Sequence, residues 1–332
     1  MRVRLSSRSL SSVLAACLLL PLVCVVPETT AIASPVFDDE HLTHTFLHGL
    51  AALASSDAIL TGARAEEEVV ATVGGGVSLP LASTPCHLNE AKPLYDAVVP
   101  AVVAVSSVYK CERCSDWHLG GSGSGWIVSP DGLVVTNHHV IQREAGHRMG
   151  IMMADGEVYA ITEVIAADPV GDAVVVRVDT RGRKLPFLAL GSSPDCGTEV
   201  SVVSHPVGRY WCLTEGVVSR FHRQQKATGD AIPAVDGNAS VATPGVKPVW
   251  MSITADYTIG SSGGPVFNPA GEVVGMVSRT VTSSQTKPEN ANRRRPLAGE
   301  TIVFKDCVST ETLHKLLSGH PQAAPADKTA QR

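Results

Sequence analysis

From about Tyr95 the chain is a succession of short, apolar, β-branched runs separated by polar or glycine-containing turns. The first six are Val98 to Val108, Gly125 to Val128, Leu133 to Thr136, Met149 to Met153, Val158 to Ala166 and Val174 to Val178. This spacing predicts an antiparallel barrel. A second set follows at Glu199 to Ser204, Gly216 to Phe221, Val249 to Ala255, Pro265 to Asn268, Val273 to Ser278 and Ile302 to Val308. The expectation is an all-β fold of two antiparallel six-stranded barrels with a functional cleft between them. A short helix over Thr310 to Leu317, with Leu313, Leu316 and Leu317 on one face, closes the pattern.

The segment before the barrels reads differently. Arg2, Arg4 and Arg8, the apolar stretch Leu10 to Val26, and Ala31-Ile32-Ala33 have the three parts of a signal peptide spanning residues 1–33, cut after Ala33. Leu14-Ala15-Ala16-Cys17 fits a lipobox in letters, but its cysteine precedes most of the apolar run instead of following it. Pro21 interrupts the run, which is short for a bilayer span, and no other segment could cross a membrane. Residues 34–91 are polar and alanine-rich, with a short helix expected over His41 to Leu60 and then Gly74-Gly75-Gly76. They read as a low-order leader or regulatory segment. His41, His44 and His48 fall at helical spacing, which suits a solvated face better than a metal site.

Loss of Arg2, Arg4, Arg8 and Glu28 with the signal takes the formal net charge from −5 to −7, which argues against nucleic acid as a partner. Arg293-Arg294-Arg295 is the one basic cluster and lies in a polar stretch expected to be an exposed loop. Of eight cysteines, Cys17 and Cys24 leave with the signal and six remain: Cys86, Cys111, Cys114, Cys196, Cys212 and Cys307. An even number in an exported chain favours disulfides. Cys111-Glu-Arg-Cys114 suggests a small disulfide loop, and Cys196 with Cys212 a bridge across neighbouring strands. Zinc at Cys111 and Cys114 would want a second pair of ligands, and the remaining cysteines are scattered singly.

The chemistry concentrates in three segments. Gly260-Ser261-Ser262-Gly263-Gly264-Pro265 sets a serine in a turn with almost no side-chain cover, which gives a nucleophile open approach and its oxyanion nearby N–H donors. Ser262 is the candidate nucleophile. Gly121 to Val140 reads as a hairpin through Asp131-Gly132 that ends on His138-His139. In a strand successive side chains face opposite ways, so only one of the two histidines can reach the serine. In Asp168 to Val178 an acid, Asp172, stands at the mouth of a buried strand.

Histidine, then aspartate, then serine is the chain order of chymotrypsin-type proteases. With Thr136-Asn-His-His-Val140, Asp172-Ala-Val-Val175 and Gly260 to Pro265 in place, residues 92–317 resemble a trypsin-like serine protease domain of the HtrA (Deg) type. The resemblance implies His139 as general base, Asp172 as its orienting partner, Ser262 as nucleophile, and the backbone N–H groups of Gly260 and Ser262 as the oxyanion hole. It implies no metal and no organic cofactor. Polypeptides would be the substrates, the location periplasmic or secreted, and a homo-oligomer is common among such proteins. Many relatives add a PDZ domain, whereas the polar tail 318–332 is too short for one. Ser261 stands where zymogen-activated relatives carry aspartate, so activation through a buried terminal salt bridge is not expected.

Asp256, six residues before Ser262, matches the offset of the aspartate at the base of trypsin's specificity pocket. A buried carboxylate there would select Arg or Lys; the competing reading is that Asp256 bonds to backbone or to a nearby basic residue and selects nothing. Two other activities compete with peptide hydrolysis. One is a catalytically silent protease fold used for binding or as a scaffold, with Ile259 as a local change that would bear on the oxyanion hole. The other is acyl transfer or ester hydrolysis by the same triad.

Overall fold

The computed structural model describes residues 36–79, 91–111, 113–223, 247–283 and 302–319. Residues 1–33, where a signal peptide is expected, lie outside them, as do Cys86, the arginine triple and residues 320–332. The chain enters through helices α1 (Asp39–Leu53), α2 (Gly62–Thr72) and α3 (Ala91–Val98). Then come β1 (Val102–Lys110), β2 (Trp117–Leu119), β3 (Gly123–Ser129), β4 (Leu133–Thr136), a helical turn α4 (His138–Ile141), β5 (Arg148–Met152), β6 (Val158–Asp168) and β7 (Ala173–Val178). The second half holds β8 (Glu199–Ser204), β9 (Cys212–Arg223), β10 (Val249–Ile253), β11 (Pro265–Phe267), β12 (Val273–Ser283), β13 (Ile302–Ser309) and α5 (Thr310–Leu317).

Both barrels form as expected. In the first, β1-β3-β4-β7-β6-β5 closes through pairing of β5 with β1. The short β2 runs along the same edge of β1 as β3 does, with Val108 facing Leu119 and Val105 facing Gly123. In the second, β10-β13-β12-β11-β8-β9 is a closed antiparallel ring. Closure removes the free edges that short β-branched strands would otherwise expose. Runs such as Val174-Val175-Val176 are fully buried because the barrel covers one face and neighbouring elements cover the other. The closing helix α5 buries Leu313, Leu316 and Leu317.

The leader departs from expectation, because its described part is built into the first barrel. Asp38 caps α1 by accepting from His41 N, and Thr61 caps α2 by accepting from Arg64 N. Phe46 and Leu50, one helical turn apart on α1, are buried, and Leu50 packs over Gly150 so closely that a Cβ there would lie 2.5 Å from Leu50 Cδ1. Between the helices Leu60 bridges two strands, its N–H donating to Ile161 O and its carbonyl accepting from Met149 N. Glu68 on α2 accepts from Val164 N at 2.8 Å. Composition concealed this because an alanine-rich helix needs only one apolar stripe to dock, and Phe46, Leu50, Ala65 and Val69 supply it.

The disulfide expectations are not met: the five described cysteines are free thiols. Cys111 and Cys114 stand with their sulfurs 3.0 Å apart, against about 2.05 Å in a disulfide. A Cys196 to Cys212 bridge is barred by register. Ser204 faces Cys212, whereas Gly197 N bonds Val218 O, so the two cysteines sit at opposite ends of the β8–β9 hairpin. Cys307 is buried in the second core. Among the described residues no helix is long and apolar enough to cross a membrane.

If α1 is part of the barrel's core, Leu50→Ala should destabilise the whole domain by about 3 kcal/mol, within the range for emptying a buried leucine site. Urea unfolding followed by tryptophan fluorescence measures this; an unchanged midpoint would mean the helix is an undocked appendage.

Candidate active site

The β3–β4 hairpin delivers the histidine pair, but onto the helical turn α4 and not onto a strand. The facing of His138 and His139 is therefore set by helical rotation, and the alternation expected of a strand does not apply. His138 is largely buried, and burial lowers its pKa, which favours the neutral ring. His139 keeps 45% of its side chain exposed. Its Nδ1 lies 3.0 and 2.9 Å from the two carboxylate oxygens of Asp172, and its backbone N–H donates to Oδ1 at 3.1 Å. A carboxylate on this side holds the ring proton at Nδ1 and leaves the Nε2 lone pair available.

Asp172 reaches this position because it ends the turn before β7 in the left-handed region, at φ 54°, which aspartate tolerates better than branched residues do. Asn137 Nδ2 donates to its carbonyl at 2.8 Å and so locks that turn against the end of β4. The carboxylate also accepts from Ser278 Oγ at 2.6 Å. Ser278 belongs to β12 in the other barrel, and its carbonyl accepts from Ser262 Oγ at 3.1 Å. Among the described residues the Ser262 hydroxyl makes no hydrogen bond to His139. The structure thus brings Ser262, Asp172 and His139 together through Ser278, a residue that nothing in the sequence singled out.

Around Ser262 the backbone is held by close approaches that only glycine permits. Gly260 has φ +93°, and a Cβ there would lie 2.4 Å from His205 O; Gly263 has φ +87°, and its Cβ would lie 2.0 Å from Ser124 O. Ile259 O accepts from Val207 N at 2.8 Å, which turns the Gly260 N–H to the opposite side of the trans peptide. Among the described residues neither Gly260 N–H nor Ser262 N–H donates to a protein acceptor. Two N–H donors without a protein partner, in the turn that carries a serine, are the kind of group an incoming oxyanion requires.

A second pair of residues unseen from sequence fixes this turn from behind. Ser124 N donates to Ser262 O at 2.7 Å, and Ser124 Oγ donates to Gly260 O at 2.9 Å. The same oxygen accepts from His205 N at 3.1 Å and pairs with His205 Nδ1 at 2.9 Å. With its single proton given to Gly260, Ser124 Oγ must accept from His205, so His205 carries its proton on Nδ1. His205 is fully buried, its Nε2 has no partner, and burial pushes its pKa down to about 3. Ser261 is buried and accepts from Ser204 Oγ at 3.0 Å.

Asp256 is placed elsewhere than the pocket hypothesis requires. Its side chain is 87% exposed and ion-paired with Lys305, whose side chain as a whole is largely buried, while its carbonyl accepts from Thr214 Oγ1 at 2.7 Å. The arrangement is the competing one, a bond to a nearby basic residue.

Residues 123–276 match the family model described as a trypsin-like peptidase domain. The chain is 30% identical over 238 residues to "Serine protease HTRA2, mitochondrial" of Bos taurus, covering 70% of this chain and 48% of that protein. It is 28% identical over 234 residues to "Serine protease HTRA1" of Xenopus tropicalis, covering 66% and 47%. With "Probable periplasmic serine endoprotease DegP-like" of Chlamydia trachomatis it shares 32% over 164 residues, 49% of this chain and 29% of that protein. It carries a trypsin-like peptidase domain homologous to the HtrA serine proteases. The chain spans about half the length or less of these curated relatives.

The His205 pKa has a measurable consequence for this homologue. Its folded value lies below the unfolded value of about 6.5, so the unfolded chain binds the extra proton first and stability falls as the pH drops through 6.5 toward 3. Between pH 7 and pH 5 this one group should remove about 2 kcal/mol. Urea unfolding of His205→Asn at the two pH values should show the acid loss reduced by about that amount; an unchanged loss would mean that other groups dominate.

Proposed function

We propose that the protein is an exported serine endopeptidase that cleaves polypeptides through an acyl-enzyme. The observation that carries the reading is that Ser278 joins Ser262 to Asp172, its carbonyl accepting from the Ser262 hydroxyl and its own hydroxyl donating to the carboxylate that holds His139, beside two unengaged N–H groups. Homology to proteins named serine proteases supports the reaction class, and the amino-terminal pattern together with a periplasmic DegP-like relative supports export.

In this mechanism the Ser262 hydroxyl leaves Ser278 O by rotation about its Cα–Cβ bond and gives its proton to His139 Nε2 as it attacks the scissile carbonyl. Asp172 keeps the imidazole in the Nδ1–H form and stabilises the imidazolium as it develops. The tetrahedral oxyanion is taken by Gly260 N–H and Ser262 N–H. His139 then returns the proton to the leaving amine, and a water repeats the sequence to free Ser262. Apart from that water, the groups this reading uses are side chains and backbone amides of this chain. The 82% exposed Ile259 flanks the first oxyanion donor, so a bound substrate chain would cover an apolar rim there. Asp256, neutralised by Lys305, has no part in this reading.

A fluorophosphonate probe tests the reading against that of a silent scaffold. Wild type should label, and Ser262→Ala should not; folded wild type that resists labelling would support the binding-protein alternative. Ser124→Ala asks whether the bond behind Gly260 matters. It should lower kcat by about tenfold or more with little change in KM, short of the roughly 10²–10³ cost of deleting an oxyanion donor itself. Peptidase assays that gave a raised KM with kcat intact would place Ser124 in substrate binding instead.

A further inference from the structure

We propose that Cys111, Cys114 and His118 form a zinc site at the tip of the β1–β2 hairpin, separate from the protease machinery. Their Sγ, Sγ and Nε2 atoms all lie within 4.8 Å of one another, and this is the one such group of three metal-ligating side chains among the described residues. The sequence objection to zinc, that a lone Cys-x-x-Cys lacks further ligands, is answered by the hairpin's register. Lys110 pairs with Trp117 and Tyr109 with His118, which folds β2 back along β1 and returns the imidazole to the two sulfurs. Cys114 Sγ stands 2.9 Å from His118 Nε2 and 3.0 Å from Cys111 Sγ.

The distances bear on what the cluster holds. A disulfide would need the sulfurs at about 2.05 Å, whereas bonds of about 2.3 Å to sulfur and 2.0–2.1 Å to nitrogen around a tetrahedral zinc imply separations of about 3.8 Å between the sulfurs and 3.5 Å from sulfur to nitrogen. The two contacts of Cys114 reach those values by opening less than about 1 Å. That is a small movement for side chains at an exposed turn. Two thiolates and an imidazole are a soft, nitrogen-containing set that selects zinc over magnesium or calcium. Three protein ligands leave a fourth position for water or an outside donor.

The platform beneath the ligands is ordered by packing. Tyr109 stacks on His147 with ring centroids 4.7 Å apart, and the Lys110 ammonium lies 5.0 Å over the Trp117 ring. Past His118 the chain is tied down by Gly120 N donating to Ser107 O and by Arg143 Nη2 donating to Gly121 O, and three residues beyond Gly121 stands Ser124. A metal at the tip would therefore stiffen the strand line that carries Ser124 to Gly260. The existence of the site does not depend on the protease reading.

The test uses the purified full chain, freed of metal under reducing conditions and titrated with Zn²⁺ or Co²⁺ alone. Expected are one tightly held zinc per chain, a thiolate-to-cobalt charge-transfer band, and zinc protection of Cys111 and Cys114 from thiol reagents. His118→Ala and Cys114→Ser should each weaken binding by at least about tenfold, the low end of what losing even an outer partner costs. Both positions are at the surface, and urea unfolding of the metal-free forms checks that the variants remain folded. The proposal is overturned if wild type retains no zinc against a mild chelator, if His118→Ala holds it as tightly, or if thiol counting and intact mass show a Cys111–Cys114 disulfide in the protein as secreted.

Discussion

The Asp172 carboxylate is the interaction on which the rest of the arrangement depends. It takes the N–H and the ring Nδ1 of His139 from the first barrel and the hydroxyl of Ser278 from the second. One anion with 17% side-chain exposure thus aligns groups on two separately closed barrels. Because charge-assisted hydrogen bonds are stronger and shorter than neutral ones, the carboxylate fixes both the tautomer of the histidine and the approach of β12. The strain of Asp172 in the left-handed region is tolerated where those three bonds and Asn137 determine its place.

The turn from Gly260 to Gly264 relies on a different kind of support. Between β8 and β9 the chain passes through Val207 at φ 46° and Trp211 at φ 51°, conformations that residues with large side chains rarely adopt. Aromatic packing opposes that cost: Trp211 meets His205 edge-on at 5.1 Å and Phe37 at 5.2 Å, and its Nε1 donates to Val102 O at 3.0 Å. Asp39 at the start of α1 accepts from Tyr210 N at 3.0 Å. The leader helix, the strained loop, His205 and Gly260 are therefore one connected body, and the leader holds more than the rear of the first barrel.

The second barrel buries a polar cluster of its own. Asp306, 3% exposed, accepts from Ser252 Oγ at 2.8 Å and pairs with His222 Nε2 at 3.0 Å and more loosely with Arg279 at 3.7 Å. Arg279 follows Ser278 and lies 4.0 Å over the Trp250 ring. Such a cluster costs desolvation and returns it through fixed geometry. It anchors β12 immediately beyond the serine that joins Asp172 to Ser262.

The sequence alone determined what short-range physics controls. β-branched runs and their turns gave both barrels, and a glycine-flanked serine, an acid before a buried strand and a histidine after a hairpin marked His139, Asp172 and Ser262 as the candidate triad, because each signal lies within a few residues of its group. Local pattern also misled, placing the histidines on a strand where the chain takes a helical turn and treating residues 34–91, whose described part packs on the first barrel, as a leader of low order. Tertiary structure decided the rest. Ser278 meets Asp172 across 106 positions, Ser124 meets Gly260 across 136 and His205 across 81, and Lys305 meets Asp256 across 49. His118 is only four residues from Cys114, yet their meeting still depends on the register of β2 on β1. These partners are set by barrel closure and strand register, which are cooperative properties of the whole chain, so no window of sequence contains them.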